Sequence, residues 1–331
     1  MARPHIFITI LFALLLSGCQ TPAPFSTNIT NFATGVVAVE ATNDELGVAL
    51  ANELEKQRSA SFLATGSRIR VVNCANIPNP KAAAATLPGC TFVAQGENAQ
   101  PPLTSEQQGL IDSKKYLELV RNYSSALVSL VGSTDFATAS KDTATIGTSI
   151  GGIAAAVGNA DASAKAAALS TSGAGNAILA VGGAILADWQ YEALKSAVDA
   201  ANDPIQKITT LVVVSFQNAQ MQLIVMSNKS LNSGQIHILD PDYTSHIADA
   251  DYLKQLGVVS QTVDRINLIR SANVIDAAQQ LGAAHDKLEQ ALQGHANITD
   301  VTTAVNNFSI AATKAQTVVQ QTASPVALFA P

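Results

Sequence analysis

The sequence predicts a mainly α protein: an elongated antiparallel helical bundle carrying a small disulfide-clasped β-hairpin and loop insertion. Three observations predict it. Apolar residues recur at three- and four-residue steps over most of the chain, the period of one helix face. Aromatic residues make up 5 % and charged residues 13 % of 331 positions, in a chain rich in Ala, Gln, Ser and Thr, a composition that suits close helix packing better than a β-sandwich. Only two short β-branched runs stand out, and both adjoin a cysteine.

The order of elements begins with a targeting pattern. Arg3 precedes an apolar run, Ile6 to Leu16, and then Leu16-Ser17-Gly18-Cys19. A basic start, an apolar stretch too short to span a bilayer, and small residues form a secretory signal. Leu16-Ser17-Gly18-Cys19 resembles the lipobox of bacterial lipoproteins. The resemblance implies that residues 1–18 are removed and that Cys19 carries the lipid and becomes the first mature residue. Gln20, where an Asp would favour inner-membrane retention, makes the outer membrane the implied address. Residues 19–27 then read as a tether containing Thr21-Pro22-Ala23-Pro24, and 28–331 as the bundle domain.

The first helix is expected from about Ile29 to Ala64. Phe32, Val36, Val39, Asn43, Leu46 and Leu50 form its seam, with one polar member. Residues 67–102 are the β-hairpin and loop insertion. Arg68 to Cys74 and Cys90 to Ala94 are its strands, and Pro78, Pro80, Pro88 and Gly89 keep the intervening segment out of helix. With Cys19 committed to lipid, Cys74 and Cys90 remain as an even pair in an oxidising compartment, where a disulfide is expected. Closing a loop of that size contributes about 3 kcal/mol in the chain-entropy model.

Ser105-Glu106-Gln107-Gln108 has capping-box spacing, and Leu110, Leu117, Val120, Leu127 and Val131 mark the helix that follows. Between Thr143 and Ala187 only Asp161 and Lys165 are charged. Gly147, Gly151 and Ala155 recur every fourth residue, as do Gly183 and Ala187, and Ser170-Thr171-Ser172-Gly173 interrupts the pattern. Two small-residue helices folded into a Gly/Ala-rich hairpin over 143–187 are expected, since small residues let helices approach closely. Such a hairpin serves as a tight pair within the bundle, as an oligomer contact, or as a membrane-inserting element. Its apolar stretches, Ile146 to Val157 and Ala177 to Ala187, are too short to span lipid unaided.

A further helix runs from Asp188 to Ala201. Asn202-Asp203-Pro204 is expected to end it and start another, with Asp203 as N-cap and Pro204 in the first turn. Ile205, Ile208, Val212, Phe216, Ala219, Leu223 and Met226 stripe that second helix, and no charge occurs from Ile208 to Asn228. Gln217, Asn218, Gln220 and Gln222 make a buried central helix the expectation, not a membrane span. Ser230 to Ser245 reads as a loop. One long helix is expected to carry Val259, Val263, Ile266, Ala277, Leu281, Ala284 and Leu288. The last has the cleanest seam: Val301, Val305, Phe308, Ala312, Ala315 and Val319.

The chemistry is sparse. No G-x-S-x-G, G-x-x-x-x-G-K-[ST] or H-E-x-x-H pattern occurs, and Gly173-Ala174-Gly175 lacks both a third glycine and a preceding strand. His237, Asp240, Asp242 and His246 are weak metal candidates: imidazoles and carboxylates suit a divalent ion, but Asp collects in loops as a turn former. Neither a metal nor an organic cofactor is expected. Without the signal the chain keeps 18 basic residues against 25 acidic, a net charge of −7, so neither nucleic acid nor anionic lipid is an expected electrostatic partner. The expected function is a lipid-anchored envelope protein, not an enzyme, whose helical domain faces the periplasm or the surface as a scaffold or complex subunit. Protein partners in the envelope are expected, and self-association is compatible with the small-residue hairpin. The alternative is a membrane-active protein using residues 143–187, loosely like helical pore-forming toxins in architecture.

Overall fold

In a computed structural model, residues 21–65, 69–72, 91–94, 102–175, 183–239 and 248–323 are described. The chain is mainly helical. After a single 3-10 turn at Ala23–Phe25, α1 spans Ser26–Thr65. Two four-residue strands follow, β1 at Ile69–Val72 and β2 at Thr91–Ala94. They pair antiparallel, with Ile69 opposite Ala94 and Val72 opposite Thr91. The helices after them are α2 (Ser105–Gly132), α3 (Phe136–Ala156), α4 (Ala160–Gly175), α5 (Gly183–Leu239), α6 (Asp249–Ser271), α7 (Val274–Leu292) and α8 (Ile298–Ala323). Cys74 and Cys90 lie outside the described residues.

Contacts divide the chain into two compact units. The first takes the chain up to Ala41, Ser113–Val213 and Val274–Ala315; the second takes Thr42–Asp112, Val214–Asn273 and the chain from Gln316. The first is cored by Ile29, Phe32 and Val36 of α1, Leu117, Tyr123 and Leu130 of α2, Leu194, Ile205 and Ile208 of α5, and Phe308 of α8, all fully buried. In the second, Leu46 and Leu50 of α1, Leu110 of α2, Phe216, Leu223 and Met226 of α5, Ile269 of α6 and Val319 of α8 are buried. The seams read for α1 and α8 are therefore the buried stripes. In α1 the polar seam member Asn43 is buried too, its Nδ2 donating to the Leu110 carbonyl at 3.1 Å.

Several boundaries depart from expectation, each for a local reason. The box that starts α2 is one residue earlier than Ser105. Gln107 N–H donates to Thr104 Oγ1 at 3.2 Å, and Thr104 N–H donates to Gln107 Oε1 at 3.0 Å. Asn202-Asp203-Pro204 does not break the helix: α5 runs 57 residues with Pro204 inside it. An interior proline loses a hydrogen bond and crowds the preceding turn at a cost of about 3 kcal/mol. Burial of Ala201, Ile205 and Ile208 on either side offsets it. α5 also continues to Leu239, through part of the segment read as a loop.

The single long helix expected over Val259 to Leu288 is two. It stops at Ser271 and restarts at Val274, with Asn273 at φ 49° between them. Asn enters this left-handed region more readily than most residues, so the break needs neither Gly nor Pro. Val263 is accordingly exposed, and the buried face of α6 begins only at Arg265 and Ile266.

Candidate functional site

The Gly/Ala-rich segment forms its hairpin earlier than its sequence suggests. The turn is Val157–Asn159, with Gly158 at φ +66°, and Ser170 to Gly173 continues as helix in α4. Asp135 caps α3, its carboxylate accepting from Thr138 N–H at 2.8 Å, and Asn159 Oδ1 accepts from Ala162 N–H at 3.1 Å to start α4. α3 and α4 pack together. Gly147 sits where a Cβ would meet Ser170 Oγ and come within 2.8 Å of the Ala166 carbonyl oxygen, so the crossing excludes any side chain there. Gly151 faces Ala166 at ordinary contact distance, and Ala155, near the end of α3, is exposed. Gly183 and Ala187 belong instead to the first turns of α5. The apolar side chains of α3 point inward. Ile146, Ile150 and Ile153 are fully buried within the unit.

Of the remaining candidate residues, Cys19, Asp240, Asp242 and His246 lie outside the described residues. His237 falls in the last turn of α5, and its side chain is also outside them. Among the described residues no group of three His, Cys, Asp or Glu could hold a metal ion. Asp249 and Asp251 stand in the first turn of α6, where carboxylates favour the helix dipole.

Two buried polar clusters were missed by the sequence reading. In the first unit His285 of α7 is fully buried. Its Nε2 lies 3.0 Å from Tyr123 Oη, and its Nδ1 lies 3.1 Å from Asn202 Oδ1. An amide oxygen only accepts, so Nδ1 carries the proton and Nε2 accepts from the phenol. Gln206 Nε2 steadies the group by donating to the Gly282 carbonyl at 2.8 Å. The rings of Phe32 and Tyr123 each stand 5.7 Å from the imidazole. Burial pushes His285 down to about 3 and Tyr123 well above the phenol range, so both stay neutral. Both ring nitrogens are occupied, and His285 and Tyr123 are fully buried, so the trio ties α2, α5 and α7 together.

In the second unit Glu53 and Arg265 are both buried, with Oε2 2.9 Å from Nη1. Lys56 Nζ approaches the same oxygen at 3.7 Å, and Ser230 Oγ donates to Oε1 at 3.3 Å. Burial, with the neighbouring Arg265 charge adding to it, holds Lys56 below the usual ammonium range. The signal for Glu53 was present in the sequence. It continues the Leu46–Leu50 seam at a step of three.

One described helical stretch, Leu186–Asn232, is long and apolar enough to cross a membrane by length and composition. Core helices of water-facing proteins pass the same test, and Leu194, Ile205, Phe216 and Leu223 within it are fully buried in the units. No family model matches the chain, and no curated protein or solved structure matches it either.

Proposed function

We propose that this chain is a lipid-anchored protein of the bacterial outer membrane. Its helical domain acts as a scaffold or subunit of an envelope complex instead of catalysing a reaction. The observation that carries the reading is Leu16-Ser17-Gly18-Cys19 at the end of a short apolar run. The buried clusters support a non-catalytic role, because the His285 imidazole and the Glu53 carboxylate are buried and already engaged by other side chains of the chain. Two structural details belong to the same proposal. One is an elongated antiparallel arrangement of the bundle. The other is a disulfide between Cys74 and Cys90, which lie two and one residues in sequence from the paired residues Val72 and Thr91.

Mass spectrometry of the N-terminal peptide, from protein isolated out of a bacterial envelope, tests the anchor. Acylated Cys19 at the N-terminus, and release into the soluble fraction on Cys19→Ser, are expected. An N-terminal peptide that retains residues 1–18, or an unmodified Cys19, overturns the reading. For the disulfide, alkylation without reductant should leave both thiols unmodified, and a mass shift on Cys74 or Cys90 refutes it. Crosslinking in the intact envelope tests the scaffold role; recovery of the chain with no protein crosslinked to it argues against one.

A further inference from the structure

Packing of the first unit starts closer to Cys19 than the expected tether of residues 19–27 allows. Thr21 is half-buried, Pro22 and Phe25 are buried, and the Phe25 ring stands 6.3 Å from Tyr191 of α5. Two peptide steps separate Thr21 from Cys19, at most about 7 Å between their Cα atoms. An acyl group on Cys19 therefore leaves the unit almost no slack. Whichever surface of the unit surrounds Thr21 is held against the bilayer.

Hydrogen bonds define that surface. Tyr191 Oη donates to the Leu292 carbonyl at 3.1 Å, which brings the end of α7 beside Phe25. Gln190 Nε2 donates to the Leu130 and Ser133 carbonyls at 2.9 and 2.8 Å, which brings the link between α2 and α3 to the same level. Asn31 Nδ2 donates to Asn306 Oδ1 at 3.2 Å and Gly35 lies against Phe308, so α1 and α8 run parallel here. Ile298, the first residue of α8, thus stands close to the level of Ala23–Phe25. Ala23, Thr134 and Gly294 are exposed, so this end of the unit is open. It presents the rings of Trp189 and Phe136, paired at 5.6 Å and half-buried, and Ile298, exposed at 38 %. An indole ring settles at the boundary of membrane and water, its body on the apolar side and its N–H on the wet side. The exposed acids Asp135, Asp188 and Asp300 stand at the same end, so attraction to anionic lipid is not what seats it. The anchor brings the membrane here, and a zwitterionic headgroup layer is the surface that fits.

We infer that this end of the first unit rests on the bilayer, with Trp189 and Phe136 in the headgroup layer of zwitterionic lipid. The inference rests on the lipid anchor proposed above. Trp189 is the single tryptophan of the chain and so reports on itself. Full-length acylated protein, purified from a bacterial envelope, is reconstituted into phosphatidylcholine vesicles. Replacing part of that lipid with phosphatidylcholine brominated close to the headgroup should quench Trp189 fluorescence by about a third or more, because an interfacial ring lies within reach of the bromine. The variant Trp189→Phe/Tyr116→Trp moves the probe to half-buried Tyr116, about 24 Å along α2 from Gly132, and should not be quenched. Mass spectrometry of Cys19 and flotation with the vesicles read the anchor separately. Acylated protein that floats while Trp189 stays unquenched overturns this proposal and leaves the anchor standing. Quenching of both probes also overturns it, since a side of the unit then lies on the membrane. Protein without an acyl group on Cys19 overturns the anchor and this proposal together.

Discussion

Acid should destabilise this protein through His285 in particular. The imidazole is held at about 3 in the folded chain against its ordinary value of 6.5, because it is fully buried. The folded state therefore refuses a proton that the unfolded state accepts. Stability from this residue is fully present above pH 6.5 and is lost progressively as pH falls towards 3. Each pH unit in that window removes about 1.4 kcal/mol, so about 2 kcal/mol is gone by about pH 5 and the full loss approaches about 5 kcal/mol. Protonation would also turn Nε2 into a donor, so the Tyr123 hydroxyl would have to accept from it and leave its own buried proton without that partner. Urea unfolding followed by circular dichroism, at about pH 7.5 and about pH 5, measures the loss in the wild type and in His285→Gln. Carboxylates titrate equally in both, so the difference isolates the imidazole. The wild type should lose about 2 kcal/mol more than the variant. Equal losses refute the argument. So does a wild-type imidazole proton resonance that titrates near 6.5, a check that holds even if the variant folds poorly.

Three other perturbations follow from the packing. Ile153→Ala should cost about 3 kcal/mol and Ile153→Asp more, because the side chain is fully buried, while the wild type leaves liposomes intact. Unchanged melting together with liposome leakage would instead support an inserting hairpin. Glu53→Gln should cost about 3–5 kcal/mol by leaving Arg265 and Lys56 without their carboxylate, and the apolar pair Glu53→Leu/Arg265→Met should cost less. Equal damage from both would show that the ion pair itself, not the orphaned charge, governs stability. Pro204→Ala should stabilise by about 1–2 kcal/mol in urea melts by restoring a helical N–H, and no gain would mean the native turn has already adapted to the proline.

The helical class was legible because the seams of α1 and α8 repeat without interruption, and their members are the buried residues. Breaks were less legible. Proline and asparagine carry strong local signals, but at Ala201 to Ile205 the apolar contacts on both sides outweigh them. At Asn273 the helix ends with no signal stronger than one residue able to adopt a positive φ. The turn of the Gly/Ala-rich hairpin was misplaced because Ser170 to Gly173 looks weaker than Val157-Gly158-Asn159, yet its helix is held by packing on α3. Glu53 could have been read from its place in the seam, whereas His285 escaped because a lone His looks like any surface residue until its partners, 162 and 83 residues away, are brought to it.

The His285 trio has a consequence for how α5 finds its place. Leu194, Val198, Ala201, Ile205, Ile208 and Val212 form a run of similar apolar residues, and sliding such a helix by one turn exchanges one small hydrophobe for another. Packing alone discriminates weakly between those positions. Asn202 does not slide so freely: a one-turn shift presents Val198 or Gln206 to the imidazole. Val198 leaves a buried Nδ1–H without an acceptor, a penalty of about 1–3 kcal/mol. Gln206 would have to give up the Gly282 carbonyl. The amide–imidazole–phenol chain thus acts as proofreading for helix register, rejecting misthreaded states that the oily seam would accept.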